Sequence, residues 1–409
     1  MKRAGGSVFK SLRTPNYRIW AAGALVSNIG TWMQRAAQDW LVLTQLTANN
    51  ASAVGIVMAL QFGPQLLLLP WTGLVADRYP LRRILLVTQA LSGLLALGLG
   101  VLTLTGLVTL WQVYLFALLF GCTTAFDAPA RQIFVGELVD ERELPNAVSL
   151  NSTSFNLARL VGPAVSGLVI ASIGTGWSFV INGLSFVAVL IALICLRADQ
   201  LHRQPRAARR AGNLAEGMRL VWQRDDLRTM SIMLFLIGTF GLNFPIFIST
   251  MAVRTFGADA SAYGLLSSVM AIGTVSGALL AAGRERLRFR LLVTSSLLFC
   301  LGCTLAALAP GYWWFAVTLV LIGSAALTFT NATNSLTQLA TEPALRGRVM
   351  AIRMAILMGC TPLGAPLVGY VADMFGPRWA LGVAALSGIL SALVGFSYLR
   401  RQAVPAVTA

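Results

Sequence analysis

Long runs without charged residues alternate with short basic connections along this chain. No Asp, Glu, Lys or Arg occurs from Trp40 to Ala76 or from Ile84 to Phe126. One bilayer crossing takes about 20 apolar residues, so each run accommodates most of two crossings. The short connection between them is therefore predicted to be a turn at a membrane face.

Repeated along the chain, this pattern predicts twelve transmembrane helices. The predicted spans are 17–46, 52–76, 84–105, 110–132, 147–173, 177–196, 229–253, 262–282, 291–308, 313–339, 349–372 and 379–399. Arginines cluster at every second connection, and short Lys/Arg-rich loops stay in the cytoplasm. Both termini are therefore expected in the cytoplasm. Four arginines depart from the pattern: Arg35, Arg159, Arg254 and Arg378.

An internal repeat relates the two halves. Three glycines recur at a constant offset, Gly121, Gly162 and Gly167 matching Gly323, Gly364 and Gly369. We therefore expect an all-α membrane protein of two pseudo-symmetric six-helix bundles, residues 1–196 and 229–409. The cytoplasmic linker, 197–228, carries an apolar stripe of Leu214, Met218 and Val221 that suits a short amphipathic helix.

Composition narrows the function classes. The chain has 56% hydrophobic and 11% charged residues and a net charge of +16. Because the basic residues follow the topology pattern, they indicate orientation and contact with anionic lipid, and we expect no nucleic-acid partner. Neither lysine, Lys2 or Lys10, belongs to a phosphate-binding Gly-Lys-Ser/Thr loop, so the chain is not its own ATP motor. The single histidine, His202, lies in the linker, which disfavours an embedded enzyme.

The connection between the second and third spans carries a recognisable motif. Its residues are Gly73, Asp77, Arg78, Arg82 and Arg83. The motif resembles the loop motif of the major facilitator superfamily, with Pro80 where many members have Gly. Segments 31–38, 126–132 and 158–167 resemble the exporter branch that includes enterobactin and macrolide efflux proteins, of the drug:proton antiporter type.

The resemblance implies a conformational role for the loop motif. A carboxylate at Asp77 could accept hydrogen bonds from backbone N–H groups at the start of a neighbouring helix. In the superfamily that neighbour is helix eleven, expected here to begin near 347–349. Asp127 and Arg131, four residues apart on helix four, could share this cluster. The alternative is that Asp77 simply ends a helix in a charged loop.

Polar residues within helix five mark a candidate cavity. Asn151, Ser152, Asn156 and Arg159 lie in one stretch, with Arg159 about 18 Å into a core about 30 Å thick. Such an arginine needs water or a carboxylate, so it either serves substrate or coupling, or forms a fixed ion pair. Just beyond it, Gly162, Pro163 and Gly167 resemble the antiporter motif of helix five and should let a neighbouring helix approach closely.

Helix one carries a second polar stripe. Asn28, Arg35 and Asp39 fall along one face, and Asp39 is the candidate proton carrier, with a salt bridge to Arg35 as the alternative. Candidate lining residues elsewhere are Gln34, Gln61, Phe155, Phe244 and Asn334.

Taken together, the sequence predicts a secondary transporter in the cell inner (plasma) membrane. It is expected to export a lipophilic or amphiphilic small molecule by proton antiport and alternating access. Uptake symport and lysophospholipid flipping by the same fold are the alternatives. We expect a monomer whose partners are a small-molecule substrate, protons and lipid. No metal site and no cofactor are expected, since a proton gradient would supply the energy.

Overall fold

Every regular element that the structure describes is a helix. The computed structural model describes residues 9–202, 214–282 and 288–403. Its helices are α1 Pro15–Trp40, α2 Ala51–Leu67, α3 Leu69–Arg78, α4 Leu81–Leu104, α5 Leu110–Glu137, α6 Leu144–Ile173, α7 Thr175–Cys195, α8 Leu214–Gln223, α9 Asp225–Gly241, α10 Phe244–Thr250, α11 Ala260–Ala282, α12 Arg290–Ala307, α13 Tyr312–Ala340, α14 Pro343–Phe375 and α15 Pro377–Ala403. Short π-helical segments, Leu41–Leu46 and Met251–Thr255, continue α1 and α10.

All twelve predicted spans coincide with helices. Among the described residues, nine helical stretches are long and apolar enough to cross a membrane, or ten when α2 and α3 count as one bent span. The remaining two predicted spans coincide with α1 and α11. The 57° bend between α2 and α3 follows from Pro64 and Pro70, because proline removes a helix hydrogen bond and crowds the preceding turn.

Most helices begin a few residues before the predicted spans, and α6 and α14 are two examples. Helix α6 starts at Leu144 rather than 147, and α14 starts at Pro343 rather than near 347–349. Both helices have proline in their first two positions, where the missing N–H is not needed and the fixed φ suits the helix. The predicted linker helix is present as α8, in which Val221 is buried and Met218 is exposed.

The first compact unit contains the described residues of Met1–Leu41 and Pro64–Ala208. Its core centres on the fully buried Trp20, whose ring meets Phe134 edge to face at 5.3 Å between centroids. The Tyr17 hydroxyl donates a hydrogen bond to the Ala147 carbonyl at 2.8 Å, which joins α1 to α6. Helix α1 is therefore the central element against which the candidate site is built.

The second compact unit contains the described residues of Val42–Gly63 and Arg209–Ala409. Most of α2 thus packs with the helices of the second half, although the sequence-based boundaries place it in the first bundle. Glycine makes this packing possible: a Cβ added at Gly369 of α14 would lie 2.5 Å from the Ala51 carbonyl oxygen. Gly55 of α2 is equally close to the Ala365 backbone.

One pair of the repeated glycines, Gly162 and Gly364, occupies matching places in the two units. A Cβ at Gly162 of α6 would lie 2.6 Å from the Trp32 Cβ of α1, so the predicted close approach is confirmed. A Cβ at Gly364 of α14 would clash with the Thr239 carbonyl oxygen of α9. Equivalent helices thus meet at equivalent glycines, which accounts for the constant offset in the sequence.

Candidate functional site

Two arginines converge on one tryptophan ring in the first unit. The guanidinium carbon of Arg35 lies 5.1 Å from the Trp32 ring centroid, and that of Arg159 lies 5.5 Å from it. Phe155 of α6 meets the same ring edge to face at 5.7 Å. The tryptophan gives both cations a favourable π-face inside a span, where charge is otherwise costly. We call Trp32, Arg35, Asp39 and Arg159 the Trp32 cluster.

Asp39 supplies the negative charge of this cluster. Its side chain is only 5% exposed, and its electrostatic partner is Arg35, one turn earlier on α1. Arg35 in turn interacts electrostatically with both Asp39 and Arg159. The cluster therefore combines one carboxylate with two cations, so that a change in the charge of Asp39 must alter the interactions of Arg35.

The neighbouring face of α6 is open. Ser152, Phe155 and Asn156 are exposed, and the Asn156 amide donates to the Ser152 carbonyl of its own helix at 2.9 Å. Polar side chains exposed within a membrane span face water or protein rather than lipid. This face, together with the half-buried Asn151, is the strongest candidate for the lining of a water-filled cavity.

Asn28 belongs to a different cluster from Arg35 and Asp39. Arg131 donates one hydrogen bond to the side-chain amide oxygen (Oδ1) of Asn28 at 2.8 Å and forms an ion pair with Asp127 at 2.9 Å. The predicted stripe on α1 therefore divides between two sites, because residues two turns apart contact different neighbours. The other two residues of the stripe, Arg35 and Asp39, belong to the Trp32 cluster.

Asp127 joins three helices. Its Oδ1 atom accepts hydrogen bonds from Thr88 at 2.8 Å and from Gln89 at 2.6 Å, both on α4. With Arg131 on its own helix and Asn28 beyond it on α1, the carboxylate has partners on every side. We call this the Asp127 network; it satisfies a buried ion pair by hydrogen bonding, as such pairs require.

The loop motif shows separate roles for its residues. Arg82 donates to the carbonyl oxygens of Leu193 at 2.8 Å and Ile194 at 3.0 Å, so it caps the C-terminal end of α7. Asp77 is exposed, as are Arg78 and Arg83. A Cβ at Gly73 would meet no atom within 4 Å. The contact between Asp77 and the start of α14 stays a prediction.

Two candidate lining residues are core residues instead. Gln34 is 4% exposed and accepts a 2.5 Å hydrogen bond from the Asn182 amide of α7, so it joins two helices. Phe244 is buried and packs against Phe247 and Phe299. Sequence periodicity could not separate these roles, because a polar or aromatic position in a bundle faces either a cavity or another helix. A third predicted lining residue, Gln61, is also buried.

Asp373, near the end of α14, was missed by sequence reasoning. Its carboxylate accepts hydrogen bonds from the N–H groups of Ala51 and Ser52, each at 2.8 Å, and from the Ser52 hydroxyl at 2.6 Å. It also forms an ion pair with Arg254 at 3.1 Å. Because the first N–H groups of a helix lack partners within it, this Asp373 cap stabilises the start of α2.

Arg254 and Arg378 were exceptions to the charge pattern, and both have local partners. Arg254 binds the Asp373 carboxylate and also the Ala372 carbonyl oxygen at 2.9 Å. Arg378 donates to the Ala309 carbonyl oxygen at 3.0 Å, just beyond α12. Their positions are thus explained by helix capping, whereas Arg35 and Arg159 lie in the Trp32 cluster.

Comparison with known proteins places these features in a family. Residues 6–407 match the model of the transmembrane secretion effector family. The chain is 27% identical over 381 residues to the staphyloferrin A transporter of Staphylococcus aureus, covering 91% of this chain and 94% of that protein. It is 27% identical over 389 residues to the multidrug efflux pump Tap of Mycolicibacterium fortuitum (89% and 93%). Similarity to macrolide efflux protein A of Streptococcus pyogenes is 24% over 396 residues (91% and 92%).

Solved structures share the fold at low sequence identity. A bacterial homologue of the human lysosomal transporter Spinster superposes with a TM-score of 0.75 at 15% identity, covering 96% of this chain and 99% of that one. A D-xylose–proton symporter superposes with a TM-score of 0.73 at 15% identity, covering 96% and 98%. The predicted transporter fold is therefore confirmed.

Proposed function

The chain belongs to the transmembrane secretion effectors, multi-pass membrane transporters of the major facilitator superfamily, and from this premise we propose that it exports a lipophilic or amphiphilic small molecule in exchange for protons. The relatives named as efflux proteins support export over uptake. The proposal takes the membrane to be the cell inner membrane, with both termini in the cytoplasm. It requires no enzyme chemistry and no bound cofactor.

The observation that carries the proposal is the buried Asp39 beside Arg35 in the Trp32 cluster. While Asp39 is ionised it balances the charge of Arg35. Taking up a proton removes that balance and leaves Arg35 and Arg159 as two cations near one ring. Because such an excess of charge is costly inside a span, protonation favours a rearrangement of α1 against α6. Proton binding is thereby linked to a change of conformation.

The Asp373 cap provides the contact that this change breaks on the outer side. In the proposed topology the Ala51 end of α2 and the Asp373 end of α14 face outward. Holding the two ends together closes the outward path. Separating them would expose the glycine-rich contact between α2 and α14 and release the substrate outward. Alternating access requires a contact of this kind that forms in one state and is lost in the other.

On the cytoplasmic side the proposal assigns the complementary contact to the loop motif. Asp77 is exposed, and the surface of Gly73 has room for another helix. In the outward-open state Asp77 would accept hydrogen bonds from the first N–H groups of α14. Gly73 would then be covered by that helix.

A cellular dye assay tests the function. Cells producing the protein should retain less of a fluorescent lipophilic dye than cells producing Asp39→Asn, and a protonophore should abolish the difference. Immunoblotting of membranes controls for equal protein levels. Dye retention that rises with the wild-type protein would instead indicate uptake. Export that continues after the protonophore would overturn proton antiport.

A further inference from the structure

A buried arginine in the second unit has no acidic partner. Arg353 lies three turns into α14, and its side chain is 6% exposed. Its Nη2 atom donates to the Thr330 carbonyl oxygen of α13 at 2.9 Å, and its Nε atom has no hydrogen-bond partner. No carboxylate lies within 4 Å of it in the described chain. An unneutralised cation at this depth needs an anion from elsewhere.

Other arginines within the helices differ in this respect. Arg131 pairs with Asp127, and Arg254 pairs with Asp373. The described carboxylates of the second unit all belong to α8 or lie at helix ends, so none reaches the depth of Arg353; they are Glu216, Asp225, Asp226, Asp259, Glu342 and Asp373. The described residues therefore supply no counter-charge to this guanidinium, although they do so for Arg131 and Arg254.

The matching helix of the other half also carries an arginine within a span, at a different position. Helix α6 carries Arg159, which contacts the Trp32 ring but forms no ion pair within 4 Å in the described residues. Arg159 therefore has an aromatic ring as a partner, and its cluster also contains Asp39. Arg353, by contrast, is bound in the described chain by a single backbone carbonyl.

Two neutral polar residues lie on α13 within about one turn of Thr330, whose carbonyl Arg353 binds. Asn334 is one turn from Thr330 on α13, and its amide has no hydrogen-bond partner in the part of the chain that the structure describes. The adjacent Asn331 is exposed. A guanidinium accompanied by carboxamide donors suits a planar oxyanion such as a carboxylate, which arginine can bind through two parallel hydrogen bonds.

We propose that Arg353 binds an anionic group of the exported molecule, so that the substrates are amphiphilic anions bearing a carboxylate or a similar oxyanion. The inference rests on the proposed export function and narrows its substrate class. The same chemistry could be offered by the headgroup of an anionic lipid. The proposal commits to the substrate, and the experiment separates the two sources.

Three probes that share the dansyl fluorophore test this assignment: dansylglycine is anionic, dansylamide is neutral and dansylcadaverine is cationic. Fluorescence titration of the purified protein in nonionic detergent should show dansylglycine binding at least about tenfold more tightly than dansylamide. Arg353→Gln should abolish that preference. Arg346→Gln, which removes an exposed arginine from the same helix, should leave it unchanged. Equal affinities for the three probes would overturn the proposal.

Two further measurements keep the result interpretable. Arg353→Lys should restore part of the preference, and thermal unfolding of each variant shows whether it is folded. Transport of dansylglycine is then measured in phosphatidylcholine vesicles with and without the anionic lipid phosphatidylglycerol. This comparison shows whether the anion that Arg353 binds belongs to the exported molecule or to a lipid headgroup. If Arg353→Gln changed only the response to phosphatidylglycerol, the anion would be lipid and the proposal would be wrong. Proton-driven export of dansylamide by Arg353→Gln would show that the transport function itself survives.

Discussion

Asp373 and Ser52 are joined by two hydrogen bonds to the same carboxylate oxygen, one from the Ser52 N–H at 2.8 Å and one from its hydroxyl at 2.6 Å. These residues are remote in sequence, and each sits at the end of its helix. Helix α11 begins with a similar sequence, Ala-Ser-Ala-Tyr-Gly at 260–264 against Ala-Ser-Ala-Val-Gly at 51–55, but its start is capped differently. There Asp259, the residue before the helix, accepts hydrogen bonds from the Ala262 N–H and the Ser261 hydroxyl, which lower its pKa. Helix α2 therefore takes its N-terminal cap from another span, whereas α11 takes its cap from the residue that precedes it.

Removing the Asp373 cap should open the contact between α2 and α14. In a chain whose five cysteines are replaced, a single cysteine at Val54, which is fully buried, should react slowly with a membrane-impermeant maleimide. Asp373→Ala should raise that rate several-fold, because the first N–H groups of α2 lose their acceptor. Asp259→Ala, which removes the local cap of α11, is the matched control and should leave the rate unchanged. An unchanged rate in Asp373→Ala would contradict a gating role.

Gly162→Ala should destabilise the protein. Its new methyl group would lie 2.6 Å from the Trp32 Cβ, and overpacking of this kind costs roughly 1–3 kcal/mol. Thermal unfolding in detergent should therefore occur at a lower temperature than for wild type. If the unfolding temperature were unchanged, α6 and α1 would not be as close in solution as described.

Gly73→Ala separates transport from stability. The position has open space, so alanine should be tolerated or slightly stabilising, since it favours the helix by about 1 kcal/mol over glycine. If α14 covers Gly73 in another state, the variant should still lose export in the dye assay. Wild-type export by a stable Gly73→Ala protein would argue against that contact.

Breaking the Asp127 network should be more damaging than removing an exposed charge. Asp127→Ala leaves the half-buried Arg131 without its carboxylate. Losing one partner costs about 3–5 kcal/mol when an ion pair is fully buried, so the loss here should lie below that range. Expression and unfolding temperature should both fall, whereas Asp259→Ala should change neither by much. A fully stable Asp127→Ala protein would show that water reaches the Arg131 guanidinium.

Arg159→Ala should reduce export while leaving the fold intact. Arg159 contacts the Trp32 ring and forms no ion pair with a carboxylate in the described residues. Its removal therefore leaves no buried carboxylate without its ion-pair partner. Dye retention should rise toward that of the Asp39→Asn variant, with unfolding temperature within a few degrees of wild type. Export equal to wild type would remove α6 from the working cavity.

The helices were predictable because charge and length are local properties. Charge-free runs such as 84–105 had to be helical to cross a bilayer, and the glycine repeat at Gly162 and Gly364 indicated equivalent contacts. The starts of α6 and α14 were placed too late because the basic residues Arg142 and Arg346 were assigned to the connections, and the predicted spans were begun beyond them. Such errors concern boundaries and leave the order of elements intact.

Partners across the bundle could not be predicted in the same way. Asn28 and Asp39 share a face of α1, yet Asn28 binds Arg131 and Asp39 neighbours Arg35. The sequence around Asp373 is that of an ordinary helix end. Its role as the cap of α2 becomes apparent only when α2 is seen to lie beside it. Helical periodicity gives the direction of a side chain but not which helix lies there.

Coupled flux in reconstituted vesicles is the most direct test of the central claim, that proton movement through Asp39 drives export. Proteoliposomes would carry a pH-sensitive dye inside, and the lipophilic dye of the cellular assay would be added outside as the transported probe, with no pH gradient imposed. Proton antiport predicts a pH change that accompanies probe movement in the opposite direction, and its absence from Asp39→Asn vesicles. Probe flux of equal size in both proteins, with no pH change in either, would contradict the account.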